Sequence, residues 1–133
     1  MKINIQKAYD VLDWGYLQSL LAKIGLEQGL IRWIMACYEN VNYVVLINGF
    51  PSPFFQAERG LRQGCPLSPL LFILAINTLS LHINHAVKLK RYAPIRICKN
   101  ISISHNLFVD DVILFAMLTK VTWICIKSIL DRF

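Results

Sequence analysis

The chain is poor in acid. Its 133 residues hold 8 Asp and Glu against 14 Lys and Arg, a formal net charge of +6. Between Glu58 and Asp110 no acidic residue occurs, while seven Lys or Arg fall in that stretch. Glycine (6) and proline (5) are few, and no linker, low-complexity run or internal repeat is found. The four cysteines, Cys37, Cys65, Cys98 and Cys125, lie far apart and form no CxxC, so they read as separate reduced thiols. His82 and His85 have a His-x-x-His spacing, but nothing nearby supplies the two further ligands that a zinc site needs.

What is abundant is apolar side chain. The hydrophobic fraction is 56% and the mean hydropathy +0.48, against an average apolar usage of about 45–50%. The most apolar run, Leu70 to Leu81, is interrupted by Asn77, Thr78 and Ser80 and is shorter than the roughly 18–20 residues of a membrane span. Lys2, Lys7 and Asp10 leave no apolar signal core at the N-terminus. No membrane partner and an intracellular location are therefore expected. The excess of apolar residues is then explained by a piece of a larger protein, with buried faces laid open. The stripe Leu17, Leu20, Leu21 and Ile24, with Trp33 and Trp123, is expected to be exposed and to drive self-association.

Against this background Asp110-Asp111 stands out. The pair lies between Leu107-Phe108-Val109 and Val112-Ile113-Leu114-Phe115, two runs that read as a hairpin over about 106–116. A two-residue hairpin turn favours Asn-Gly or Asp-Gly, and Asp-Asp supplies neither glycine nor charge relief. Hard divalent cations need clustered carboxylate oxygens on a rigid support. The pair reads first as a metal-ligand turn; a solvated turn is the alternative.

The remaining pattern predicts an α+β chain in the order strand, helix, helix, hairpin, helix, hairpin, helix. Ile3 to Ile5 is a short strand. Asp13 caps a helix that ends at Gly25. A second helix covers about 27–39, with Leu30, Ile34 and Cys37 on one stripe and Ile31 and Tyr38 beside it. Tyr43 to Ile47 and a return strand from Phe54 flank Asn48-Gly49, a strong hairpin signal. Ser68-Pro69 opens a helix to about Val87. A basic connector, 88–100, holds one strand at Ile95 to Cys98. The last helix is expected from about Thr119 to the C-terminus. A small antiparallel sheet backed by helices is expected. Arg59, Arg62, Lys88, Lys90, Arg91, Arg96 and Lys99 form either a polyanion-binding surface or a solvated basic one.

Three segments together resemble one family. They are Asn4-Ile5-Gln6-Lys7-Ala8-Tyr9-Asp10, then Arg59 through Phe72 (RGLRQGCPLSPLLF), then Phe108-Val109-Asp110-Asp111. In this order and spacing they are similar to the palm of reverse transcriptases, specifically those of non-LTR (LINE-type) retrotransposons. The resemblance implies one partial reverse transcriptase domain over 1–133, an incomplete polymerase palm with fingers and thumb missing. It implies RNA or DNA template-primer and deoxynucleoside triphosphate as ancestral partners, joined by two-metal nucleotidyl transfer. Asp110 then corresponds to a principal ligand of Mg²⁺ or Mn²⁺, with Asp111 beside it. Tyr9, Gln63 and Gly64 correspond to nucleotide-binding positions, Tyr9 at the place of an aromatic ribose gate. Arg59, Arg62, Lys88, Lys90 and Arg91 are the expected phosphate contacts.

One departure matters. Asn4 stands where the family places the other principal aspartate. An amide offers one neutral oxygen where the site needs charge, and the loss of an anionic ligand should cost roughly 10³-fold or more in rate. Metal is expected to bind weakly, and the chain to be catalytically inactive. Three possibilities follow: an active polymerase, a non-enzymatic basic nucleic-acid-binding remnant, or a relic with no selected function.

Overall fold

A computed structural model describes residues 1–131. Two compact units divide it: a sheet unit, Met1–Gln6 with Ile73–Phe133, and an inserted unit, Lys7–Phe72.

The sheet unit is built on strand β1 (Lys2–Asn4) and the hairpin of β8 (His105–Phe108) and β9 (Asp111–Leu114). The order is β1-β9-β8, antiparallel throughout. Register follows from burial. Val112 and Leu114 are buried, so alternation turns Asp111 and Ile113 to the other face. Ile3 pairs with Val112, which sets Asn4 opposite Asp111 and Lys2 opposite Ile113. A slip of one residue would put Asp111 into the core, so the apolar face fixes the placement of the acid. Leu79, Ile83, Tyr92, Leu114 and Ile126 converge around one apolar gap. Tyr92 is buried, and its hydroxyl bonds the carbonyls of Ser104 (2.7 Å) and Phe115 (3.3 Å), tying down the base of the hairpin.

The basic connector holds more than the single expected strand. Strand β6 (Ile95–Cys98) does form, and β7 (Ile101–Ile103) pairs back on it with a register shift at Arg96/Cys98. Lys99-Asn100 carries no glycine, so the turn left no sequence signal. Helix α4 (Lys120–Leu130) starts as expected: the Thr119 hydroxyl accepts from the Thr122 amide at 3.1 Å.

In the inserted unit, α1 (Trp14–Lys23) is capped by Asp13, whose carboxylate accepts from the Tyr16 amide at 2.7 Å. Gly25 follows at φ +90, the left-handed position past the C-cap. Helix α2 (Gln28–Glu39) packs against α1. Its buried stripe is Ile31, Met35 and Tyr38; Leu30 and Cys37 are exposed. The expected stripe was rotated, because Leu30-Ile34-Cys37 and Ile31-Met35-Tyr38 satisfy the same helical spacing and only packing chooses between them. Leu17, Leu20 and Leu21 are likewise buried, so of that expected open stripe only Ile24 is exposed. Trp33 and Trp123 are exposed as anticipated.

The Asn48-Gly49 turn forms with φ positive at both residues, as a I′ turn requires. Its ladder is broken into β3 (Leu46–Ile47) with β4 (Phe50–Pro51) and β2 (Asn42–Tyr43) with β5 (Phe55–Gln56). Pro51 and Pro53 lack the N–H donors a continuous ladder needs.

Helix α3 (Ser68–Lys88) runs 21 residues, straight through Asn77, Thr78 and Ser80. The interruptions in the apolar run therefore do not limit its length, and by length and composition alone it is able to cross a membrane. Its buried residues, Ser68, Leu71, Phe72, Ala75, Ile76, Leu79, Ile83 and Ala86, recur on one face, the pattern of a core helix. It ends in a Schellman motif. Lys90 takes φ +56, its amide donates to Val87, and the Arg91 amide donates to Ala86.

Candidate functional site

Asp110 and Asp111 differ in structural role. Phe108 pairs with Asp111, so the turn residues are Val109 and Asp110, and Asp111 is the first residue of β9. Val109 has φ +53. A β-branched residue in the left-handed region is strained by about 1–3 kcal/mol. That position of a two-residue hairpin turn normally takes glycine. Strain held at a turn that carries carboxylates points to a functional placement.

Asn4 meets both acids. Its Nδ2 donates to Asp110 Oδ2 and to Asp111 Oδ1, each at 3.3 Å. Carboxylates are acceptors only, so the amide must turn its NH₂ toward them. Lys2, two residues back on the same face of β1, forms a salt bridge from Nζ to Asp111 Oδ2 at 2.8 Å. Lys2 was not among the expected site residues; its β-strand spacing from Asn4 was the available signal. The Lys2 ammonium, and then the Asn4 amide, hold the Asp111 carboxyl below its ordinary range. The backbone supports the arrangement, with the Ile5 amide donating to the Asp110 carbonyl at 2.9 Å. Among the described residues no three His, Cys, Asp or Glu side chains converge as a metal cluster, His82 and His85 included. Two carboxylates already occupied by an amide and an ammonium do not fit the two divalent ions of nucleotidyl transfer.

Tyr9, Gln63 and Gly64 come together in the inserted unit. They line a shallow cleft of ≈ 460 Å³ with Cys65, Pro66, Ser68 and Pro69. Tyr9 is half-buried and stacks on Phe72, ring centroids 4.8 Å apart. A Cβ at Gly64 would meet nothing within 4 Å; its φ of +84 is what calls for glycine. The close approach lies at Gly60, which sequence alone did not single out. A Cβ there would stand 2.7 Å from the Asp10 carbonyl oxygen, and φ is +93. The Gly60 carbonyl accepts from Trp14 Nε1 (2.7 Å), and the Leu61 amide donates to the Tyr9 carbonyl (2.7 Å).

A buried polar network holds the start of α3. The Ser68 hydroxyl donates to the Arg62 carbonyl at 2.6 Å, and the Tyr38 hydroxyl lies 3.3 Å from Ser68 Oγ and 3.6 Å from Cys65 Sγ. Burial pushes the Tyr38 hydroxyl up to about 12, while the bond from Tyr38 lowers the Cys65 thiol. Among the described residues, the side-chain partner of Cys65 is the Tyr38 hydroxyl, which is no general base. Arg59 and Arg62 in the inserted unit are exposed, as are Lys88, Lys90 and Arg91 in the sheet unit.

Comparison with known proteins gives the lineage. The sequence profile of the family described as "Reverse transcriptase (RNA-dependent DNA polymerase)" matches residues 1–133. The Retrovirus-related Pol polyprotein from type-2 retrotransposable element R2DM of Drosophila melanogaster is 28% identical over 114 residues, 86% of this chain and 10% of that protein. The Retrovirus-related Pol polyprotein from type-1 retrotransposable element R2 of Popillia japonica is 25% identical over 114 residues, 86% of this chain and 18% of that protein. An uncharacterized mitochondrial protein of Arabidopsis thaliana is 46% identical over 67 residues, 50% of this chain and 55% of that protein. With the whole chain matched and its similarity running to R2 elements, the protein belongs to the reverse transcriptase (RNA-dependent DNA polymerase) family, as a domain of the LINE-type, non-LTR retrotransposon class.

Proposed function

We propose that the chain is a palm-type segment of a retrotransposon reverse transcriptase that no longer catalyses nucleotidyl transfer. Its ancestral partners are a template-primer and a deoxynucleoside triphosphate. The single observation that supports this is the pairing of Asn4 with Asp111 and the contact of its amide with both acids. The place where a third carboxylate would converge presents N–H donors instead. A divalent ion could reach Asp110 and Asp111 only by displacing the amide and the Lys2 ammonium, so Mg²⁺ or Mn²⁺ binding is weak. Primer extension on RNA and DNA templates, with either ion, is the test. The chain should match an Asp110→Asn, Asp111→Asn control. Extension above that control would overturn the proposal.

A second reading rests on the cations. Among the described residues, Arg59, Arg62, Lys88, Lys90 and Arg91 are exposed and form no ion pair. They are free to neutralise phosphates without reading bases, a weak, sequence-indifferent affinity that falls steeply with salt.

A further inference from the structure

We propose that Lys2 is a built-in counter-cation for the acidic hairpin, converting an ancestral metal site into a metal-independent ion pair; the idea rests on the functional reading above. Lys2 and Asn4 share one face of β1 because they are two residues apart, and β1 lies against β9 in a register pinned by Ile3 and Val112. The directly opposite partner of Lys2 is Ile113, yet its Nζ reaches diagonally to Asp111 Oδ2 at 2.8 Å. The Asn4 amide covers Asp111 Oδ1 and Asp110 Oδ2. Three of the four carboxylate oxygens of the pair thus have donors from β1. An aspartate at position 4 would leave these acids short of positive charge unless a cation came from solution. With an amide at 4 and an ammonium at 2, β1 itself supplies donors and charge. The two residues act as a set: the amide removes one negative charge, and the lysine offsets part of what remains.

The test is a Mn²⁺ titration of the whole chain followed by water-proton relaxation, on five proteins: unaltered, Lys2→Met, Lys2→Gln, Asn4→Asp and Lys2→Met/Asn4→Asp. Lys120→Met serves as a control for net charge, since Lys120 is exposed on α4. An exposed ion pair contributes little to stability, so the Lys2 variants should fold; the two neutral replacements guard against a defect peculiar to one of them. Lys2→Met and Lys2→Gln should each tighten Mn²⁺ binding roughly five- to tenfold, the scale of removing one unit charge near the site. The double variant should bind tighter than Asn4→Asp alone, and Lys120→Met should match the unaltered chain. Unchanged Mn²⁺ affinity on neutralising Lys2, in both backgrounds, would overturn the proposal. So would an equal gain from Lys120→Met, which would reduce the effect to overall charge. The titration reads binding only, so primer extension by the unaltered chain would sink the functional reading without deciding the role of Lys2.

Discussion

The sheet unit and the inserted unit each gather a set of residues from the family's motifs, and they hold them differently. In the sheet unit the backbone ladder does the positioning. Val112 and Leu114 bury one face, and Asn4, Lys2 and the two aspartates gather on the open side, where their contacts are ionic and solvent-facing. In the inserted unit the cleft residues hang on loops with little regular pairing. They are held instead by buried or half-buried groups: Trp14 to the Gly60 carbonyl, Tyr38 and Ser68 over the Arg62 carbonyl, and Tyr9 on Phe72. Substitution at the acidic hairpin should therefore change charge chemistry with little effect on folding. Substitution around the cleft should act on the fold first. The reason is general: exposed ion pairs contribute little to stability, whereas a buried group loses its whole packing or hydrogen-bonding context.

The largest effect should come from the core of the inserted unit. Leu21 is fully buried on α1. Leu21→Ala should lower unfolding free energy by about 2–5 kcal/mol, the cost of lost burial plus a cavity. Urea denaturation followed by tryptophan fluorescence measures it, Trp14 lying in the same unit. A loss below 1 kcal/mol would show that this core is loosely packed and that the contrast is false.

Gly60→Ala should come next, at about 2–3 kcal/mol, from positive-φ strain and the clash with the Asp10 backbone. Gly64→Ala should cost less, because only φ opposes it and no atom lies within 4 Å. The same denaturation experiment ranks the two, and equal losses would remove the special status of Gly60.

The sheet unit holds a half-buried histidine to test. His105 bonds Ser80 Oγ through Nε2 at 2.7 Å and Ser104 Oγ through Nδ1 at 2.8 Å, and burial lowers its pKa below the ordinary 6.5. The unfolded chain then takes up the proton first as pH falls. Stability is complete above pH 6.5 and declines as pH drops from there toward the depressed folded value. His105→Gln should flatten thermal midpoints between pH 7 and 5. A slope that survives the substitution would assign the pH dependence elsewhere. A further, small decline sets in near the ordinary aspartate value of 3.8, where the unfolded chain protonates first, and is complete once the folded Asp111, held lower by Lys2 and then Asn4, also protonates.

The smallest expected effect concerns surface. Leu46, Ile47, Phe50 and Phe54 on the split hairpin, with Trp33, are exposed by 62–78%. Exposed apolar clusters favour association. Trp33→Ser with Phe50→Ser should shift sedimentation toward monomer while leaving oligonucleotide affinity and its salt slope unchanged. A concurrent loss of that affinity would place nucleic-acid binding on the apolar face and not on the cations.

Much of this was legible in the chain itself. Local chemistry specified the Asp13 cap, the Gly25 exit, the Asn48-Gly49 turn, the Ser-Pro helix start and the start of the last helix near Thr119, because each depends on atoms within a few residues. The ordered motifs specified the family. Tertiary structure alone decided the rest. Two stripes on α2 satisfied the same period, and only tertiary packing selected Ile31, Met35 and Tyr38, the last of which bonds Ser68 and Cys65. Leu17, Leu20 and Leu21 could be read as open until tertiary packing buried them. Gly60 matters because the chain at Asp10, fifty residues earlier, passes 2.7 Å from where its Cβ would be. Lys2 joins the acidic pair because β1 and β9, more than a hundred residues apart, align in one register. A sequence displays the chemistry that neighbours along the chain impose on one another; which distant groups share a face is set only when burial fixes the register.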